Sequence, residues 1–191
     1  MEISEFIFWG LLVVVIVYAI IMFNHLVSLK HNVKKAWSNI DVLLKQRHDE
    51  LPKLVETCRQ YMQFEQQTLE KVMQARAAVS AAQANGDVPA LGAAETEMRL
   101  GLGNLFAVAE AYPDLKANET FQHLQQRISG LENAIADRRE FYNESVNINN
   151  IQIEQFPDLV IARLFRFRAF DLLEFSESET ADVDLGALFN R

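Results

Sequence analysis

Residues 6 to 23 read FIFWGLLVVVIVYAIIMF, an apolar run interrupted only by one glycine and one tyrosine hydroxyl, and no Asp, Glu, Lys or Arg occurs from Phe6 to Leu29. A helix needs about 20 such residues to cross a hydrocarbon layer about 30 Å thick. The run therefore predicts a membrane anchor. Upstream lies only Met1-Glu2-Ile3-Ser4-Glu5, without a basic residue, and downstream the run ends at Asn24-His25 rather than at small residues. A cleaved signal peptide has a basic start, a shorter apolar core and a small-residue cut. The anchor, residues 1–29, is thus expected to be retained, with Phe6, Trp9, Tyr18 and Phe23 as its aromatic membrane residues. Lys30, Lys34 and Lys35 follow immediately. Lys and Arg next to a span stay on the cytoplasmic side, which predicts a single pass with the N-terminus outside and the rest of the chain in the cytoplasm.

The remaining length, about 160 residues, suits one domain with a buried core. A single cysteine, Cys58, makes neither an internal disulfide nor a thiolate metal cage. With 18 Lys+Arg against 26 Asp+Glu the chain lacks the basic stripe of a nucleic-acid binder. Only 7 Gly and 4 Pro punctuate 191 residues, so long helices are expected.

Beyond the anchor, Leu26, Leu29, Val33, Trp37, Ile40, Leu44, Leu51, Val55, Cys58, Met62, Leu69 and Val72 recur at helical spacing. This stripe predicts a helix running unbroken out of the membrane to about Ala84. Asn85-Gly86-Asp87 ends it, with Gly86 suited to a left-handed cap and Asp87 to capping the next helix ahead of Pro89. A second helix carries Leu91, Met98, Leu102 and Leu105 and stops at Tyr112-Pro113. Asn118 caps a third, with Phe121, Leu124, Ile128, Ile135, Tyr142, Val146 and Ile153, which Pro157 closes. The expected class is all-α: a single transmembrane helix continuing into an antiparallel four-helix bundle of long helices, residues 30–175. The acidic stretch 176–191 has too little apolar content to fold alone and is expected to be a mobile tail.

At 1.5 Å per residue these helices would measure roughly 90, 37 and 58 Å. If each reverses direction, the membrane-proximal part of the first stripe outruns its partners. Either the first helix bends at Pro52, or the later helices return in line, or the stripe packs on a second copy. A bare apolar seam is costly in water, so the last is preferred, with Leu26, Leu29, Val33, Trp37, Ile40 and Leu44 as the oligomer seam.

Catalytic constellations do not emerge. Di-iron bundles need Glu-x-x-His pairs, but Ser28, Lys45 and Thr120 precede His31, His48 and His123 by three. No zinc-protease or phosphate-loop motif is present. Cys58 lies on the apolar stripe and reads as a buried structural thiol. The densest polar cluster, Arg47-His48-Asp49-Glu50, precedes Pro52, which removes the amide that would bond the His48 carbonyl and leaves that oxygen in need of a partner. A second polar set, including Glu132, Tyr142, Asn143 and Asn149, is expected to fix helical register. Arg163, Phe165, Arg166, Phe167, Arg168 and Phe170 suit either a membrane surface or a cap on the bundle, although the arginines do not gather on one face of a helical wheel. The reading is of a protein that is no enzyme and holds no metal or cofactor.

The stretches IDVLLKQRHDELPKLVETCRQY (40 to 61), LGNLFAVAEAYPDLKANETFQHLQ (102 to 125) and LENAIADRREFYNESVNINNIQIEQFP (131 to 157) resemble the LemA family of bacterial membrane proteins. The sequence departs from the family's usual pattern at Lys53, Phe64 and Ile148. The resemblance implies an antiparallel four-helix bundle behind one N-terminal anchor in the bacterial inner membrane, and no established catalysis. One relative acts in forming magnetosome membranes, which implies membrane organisation. The expected function is a non-catalytic scaffold that self-assembles on membrane lipids; the alternative is an adaptor recruiting another protein, such as a membrane protease or signalling component. Nucleic acid is not an expected partner.

Overall fold

The computed structural model describes residues 3–174, and all regular structure among them is helical. The expected acidic tail, 176–191, lies outside the described residues. The helices are α1 (Ile3–Arg59), α2 (Gln66–Asn85), α3 (Val88–Ala109), α4 (Pro113–Lys116), α5 (Glu119–Glu154) and α6 (Asp158–Leu164).

Several boundaries follow from local chemistry. Gly86 adopts φ 66°, the left-handed conformation that ends α2. The Asp87 side chain accepts from the Ala90 amide at 3.0 Å and starts α3. Asn118 does the same for α5 through the Phe121 amide, also at 3.0 Å. One boundary differs from expectation. The first helix stops at Arg59, and the chain turns through residues 60–65 before α2, instead of running on to Ala84. No Gly or Pro marks this turn; tertiary contacts fix it. The Met62 side chain is fully buried and the Tyr61 hydroxyl accepts from Asn118 Nδ2 at 3.0 Å, while locally the Met62 amide bonds the Cys58 carbonyl at 2.8 Å. A trace was present in the sequence, since the apolar stripe jumps from Met62 to Leu69 across Glu65-Gln66. Pro52, in contrast, lies inside α1 without ending it.

The chain divides into two units, and α1 and α5 contribute one stretch to each. In the first, the residues up to Leu43 accompany Ile135–Leu172. Trp37 meets Tyr142 at 5.3 Å between ring centroids, and Phe23 meets Phe165 at 4.7 Å, so the two stretches run antiparallel. In the second, Leu44–Ala134 with the residues from Leu173 on, four helical stretches surround a core that includes Leu51, Leu54, Met62, Leu91, Met98 and Leu105. Arg47 pairs with Glu132, Glu50 with Arg127 and Tyr61 with Asn118, which again sets α1 and α5 antiparallel. Within this unit the Glu174 carbonyl lies against Gly92 so closely that a β-carbon there would sit 1.9 Å from the oxygen. Only glycine admits that approach.

Candidate functional site

The apolar stripe of α1 steps from Leu44 to Leu51, and helical spacing puts residue 47 on the same face. The chain places an arginine there. Arg47 is 1% exposed and so is Glu95 of α3, a buried charge pair in an otherwise largely apolar core among the described residues. Arg47 Nη2 donates to Glu95 Oε1, and Nη1 donates to Glu132 Oε1 of α5 at 2.5 Å. Arg99 Nε stands 4.0 Å from Glu132 Oε2. One turn further along α1, Glu50 receives Arg127 Nη2 at 3.2 Å and Lys53 Nζ at 3.2 Å. The His48 carbonyl, which Pro52 deprives of its helical amide, accepts from Arg76 Nε of α2 at 3.0 Å, and Arg76 Nη2 lies 2.6 Å from His48 Nε2. The partner that Pro52 demands is thus supplied by another helix.

Burial acts against the Arg47 charge, but Glu95 and then Glu132 outweigh it, and the guanidinium is held above its ordinary range. Burial raises the Glu95 carboxyl even against Arg47, and its Oε2 has no hydrogen-bond partner among the described residues. Burial, then Arg76, holds the His48 imidazole below its usual value. A charged knot of this kind does no bond chemistry by itself. It ties one point on α1 to one point on α3 and one on α5, and wrong registers would leave a buried charge unpaired. Among the described residues no three His, Cys, Asp or Glu side chains group to hold a metal. Cys58 is buried, which pushes its thiol up to about 12, far from a thiolate at neutral pH.

The anchor residues Phe6, Trp9 and Tyr18 are all exposed, as is every described residue from Ile3 to Tyr18. Burial begins at Met22, and Phe23 is half-buried. The residues expected to form a seam between copies are instead covered by their own chain. Leu26 is buried with Ile153 and Ala162; Val33, Ile40 and Leu44 are buried; Leu29 and Trp37 are half-buried. The expected mismatch in length arose from the first helix: it ends at Arg59 rather than near Ala84, so its stretch beyond the anchor is matched by the 36 residues of α5, and α6 and the following segment cover it further toward the anchor. A seam between copies therefore does not follow from these six residues.

Arg163, Phe165, Arg166 and Arg168 are exposed, and Phe167 and Phe170 are half-buried. Helix α6 ends at Leu164 and Arg166 takes φ 57°, so a helical wheel does not describe where the arginines point. Beyond it α5 holds the irregular segment that follows, through Tyr142 of the expected polar set and through Asn150, which that set did not include. Asn150 Nδ2 donates to the Phe170 carbonyl at 2.9 Å while Asn150 Oδ1 accepts from the Phe170 amide at 3.0 Å. Buried Asn149 donates to Asn150 Oδ1 at 3.2 Å, and the Tyr142 hydroxyl donates to the Asp171 carbonyl at 2.9 Å. Sequence reasoning missed Glu95 and Arg76 as partners of the Arg47 cluster. For Glu95 a signal existed, because Leu91, Glu95, Met98 and Leu102 follow the same three-and-four spacing.

A family model described as the LemA family matches residues 36–185. The protein named Protein LemA of Metamycoplasma hominis is 29% identical over 169 residues, 87% of this chain and 75% of that protein. Magnetosome protein MamQ 2 of Paramagnetospirillum magneticum is 32% identical over 84 residues, 44% of this chain and 30% of that protein. Magnetosome protein MamQ of Magnetospirillum gryphiswaldense is 29% identical over a stretch of the same length. The chain thus spans less than a third of the magnetosome proteins that it matches. The exposed apolar helix, the helical bundle behind it and a match over most of the length agree: the chain belongs to the LemA family.

Proposed function

We propose that this chain is a non-catalytic scaffold, anchored through the apolar run within residues 1–29 in the bacterial inner membrane, with its helical bundle on the cytoplasmic side. The carrying observation is the contrast in cover along α1. Eighteen consecutive residues with a mean hydropathy of 2.9 are almost wholly uncovered, while the seam that continues them is packed inside the chain. Only lipid or another anchor can satisfy the bare stretch. Lys30, Lys34 and Lys35 support the cytoplasmic orientation. The likeness to proteins named as magnetosome proteins supports a role in organising membrane.

Self-assembly draws on two exposed surfaces rather than on the Leu26–Leu44 seam: the anchors side by side, and Phe141, Ile148 and Ile151 on the outward face of α5. Single-particle mass measurement of the full chain in lipid nanodiscs tests it. Several copies per particle are expected, and one copy at every concentration would overturn self-assembly. The adaptor reading has one observation of its own. Phe64, 94% exposed, stands on the turn after α1 beside an open groove of about 590 Å³ lined by Met62, Leu69 and Met73. Under that reading, Phe64→Ser removes a co-purifying protein.

A further inference from the structure

We infer that α6 and the turn after it form an interfacial foot, which lies on the cytoplasmic leaflet beside the anchor and takes anionic lipid headgroups as its ligand. The inference rests on the anchored reading above and adds a second point of lipid contact.

The helix packs by one side only. Ile161 and Ala162 lie against Leu26 and Ile153. Val160 is 56% exposed and Leu164 70%, and the residues flanking the helix, Phe156 at 82% and Phe165 at 54%, are exposed as well. Four large exposed apolar side chains within ten residues of sequence are unusual on a surface bathed in water. Their height along α1 is fixed by contact, because the Phe165 ring stands 4.7 Å from that of Phe23 and the Phe167 ring 5.9 Å from it. Phe23 closes the apolar run. From Phe6, where the charge-free run begins, to His25 a helix rises about 29 Å, about the thickness of the hydrocarbon layer, so its boundary falls within a turn of Phe23. The exposed side of α6 therefore lies at the depth where acyl chains meet headgroups.

The same segment is basic. Arg163, Arg166 and Arg168 are exposed on this segment, and Lys30 stands over the Phe167 ring with its ammonium 5.9 Å from the centroid. Arg166 occupies a left-handed turn position that glycine fills at no steric cost. Apolar side chains flanked by arginine and lysine at a leaflet boundary are the makeup of an interfacial element, and the basic groups select phosphate-bearing anionic lipid. An aqueous bundle cap would leave the four apolar groups wet.

Depth-dependent fluorescence quenching tests the foot on the full chain in vesicles of phosphatidylethanolamine and phosphatidylglycerol containing shallow-brominated lipid. Three proteins each keep one tryptophan: Trp9 alone, Leu164→Trp and Phe64→Trp, with the other native tryptophans changed to Phe. Circular dichroism confirms the fold, and Val160→Trp serves as a second reporter should Leu164→Trp disturb it. Quenching of Leu164→Trp should exceed that of Phe64→Trp by about threefold, with blue-shifted emission. Equal quenching of the two while Trp9 is quenched would overturn the foot and leave the anchor standing. An unquenched Trp9 would overturn the anchor itself. Blue-shifted but unquenched Leu164→Trp would mean that protein covers the patch, and would also overturn the foot. Arg163→Gln with Arg166→Gly and Arg168→Gln should roughly halve quenching at Leu164→Trp without changing Trp9. No change there would overturn the assignment of anionic headgroups.

Discussion

The two units solve the problem of holding α1 against α5 by different chemistry. The unit that carries the anchor uses apolar and aromatic packing, Leu26 on Ile153 and Trp37 on Tyr142, and a C-terminal segment gripped by asparagine and tyrosine side chains. The unit with four helical stretches buries an arginine between two glutamates. Two helices held by a strap have few competing arrangements. Four amphipathic stretches with aliphatic faces have many, and a one-turn slip of any of them preserves much of the apolar contact. A buried charge triad does not survive such a slip, so its cost in desolvation is set against a gain in uniqueness.

The largest expected effect comes from breaking that triad. Arg47→Ala leaves Glu95 and Glu132 facing each other without their cation and should destabilise the second unit by about 3–5 kcal/mol, read as the shift of a urea unfolding midpoint. If the triad serves register rather than net stability, Arg47→Met combined with Glu95→Leu and Glu132→Gln should recover most of that loss. Equal loss in the triple variant would mean that the ion pairs themselves hold the unit together.

How far the sequence foretold this contrast depends on the physics involved. The anchor was legible because lipid imposes length and composition directly on the chain. Gly86, Asp87 and Asn118 were legible because capping is local. The Pro52 argument even foresaw that the His48 carbonyl needed a partner, but not that Arg76, 28 residues on, would provide it. The turn at 60–65 and the cover over Leu26–Leu44 were not legible, since both depend on residues far away in the chain. Arg47 and Glu95 lay between. Their stripe positions were visible, yet their joint burial needed the helices already placed.

A smaller effect is expected in the other unit. Asn150→Ala removes both hydrogen bonds to Phe170 and should cost about 1–2 kcal/mol, less than Arg47→Ala because no charge is stranded. Limited proteolysis should show faster cleavage near Phe170. Unchanged cleavage would mean that the asparagine clamp does not hold the segment.

The smallest effect concerns pH. Burial and Arg76 keep the His48 imidazole below its ordinary range, so the folded chain holds it neutral where the unfolded chain takes up a proton. This contribution is complete above the unfolded value of about 6.5 and is lost as pH falls through the folded value. The raised Glu95 carboxyl acts with the opposite sign, favouring the fold at low pH and ceasing to do so as pH rises through its folded value. His48→Gln should therefore flatten the decline of stability below about pH 6.5. An unaltered slope would assign the acid sensitivity to other groups.

The central claim is that the seam beyond the anchor is closed by its own chain, while the lipid-length stretch of α1 before it is left bare. A short bis-maleimide linker applied to Trp37→Cys with Tyr142→Cys, in a Cys58→Ser background and in lipid nanodiscs, addresses it directly. Linkage within single chains that still run as monomers on a denaturing gel is the predicted result. Covalent dimers as the main product would contradict it, since those two faces would then meet between copies.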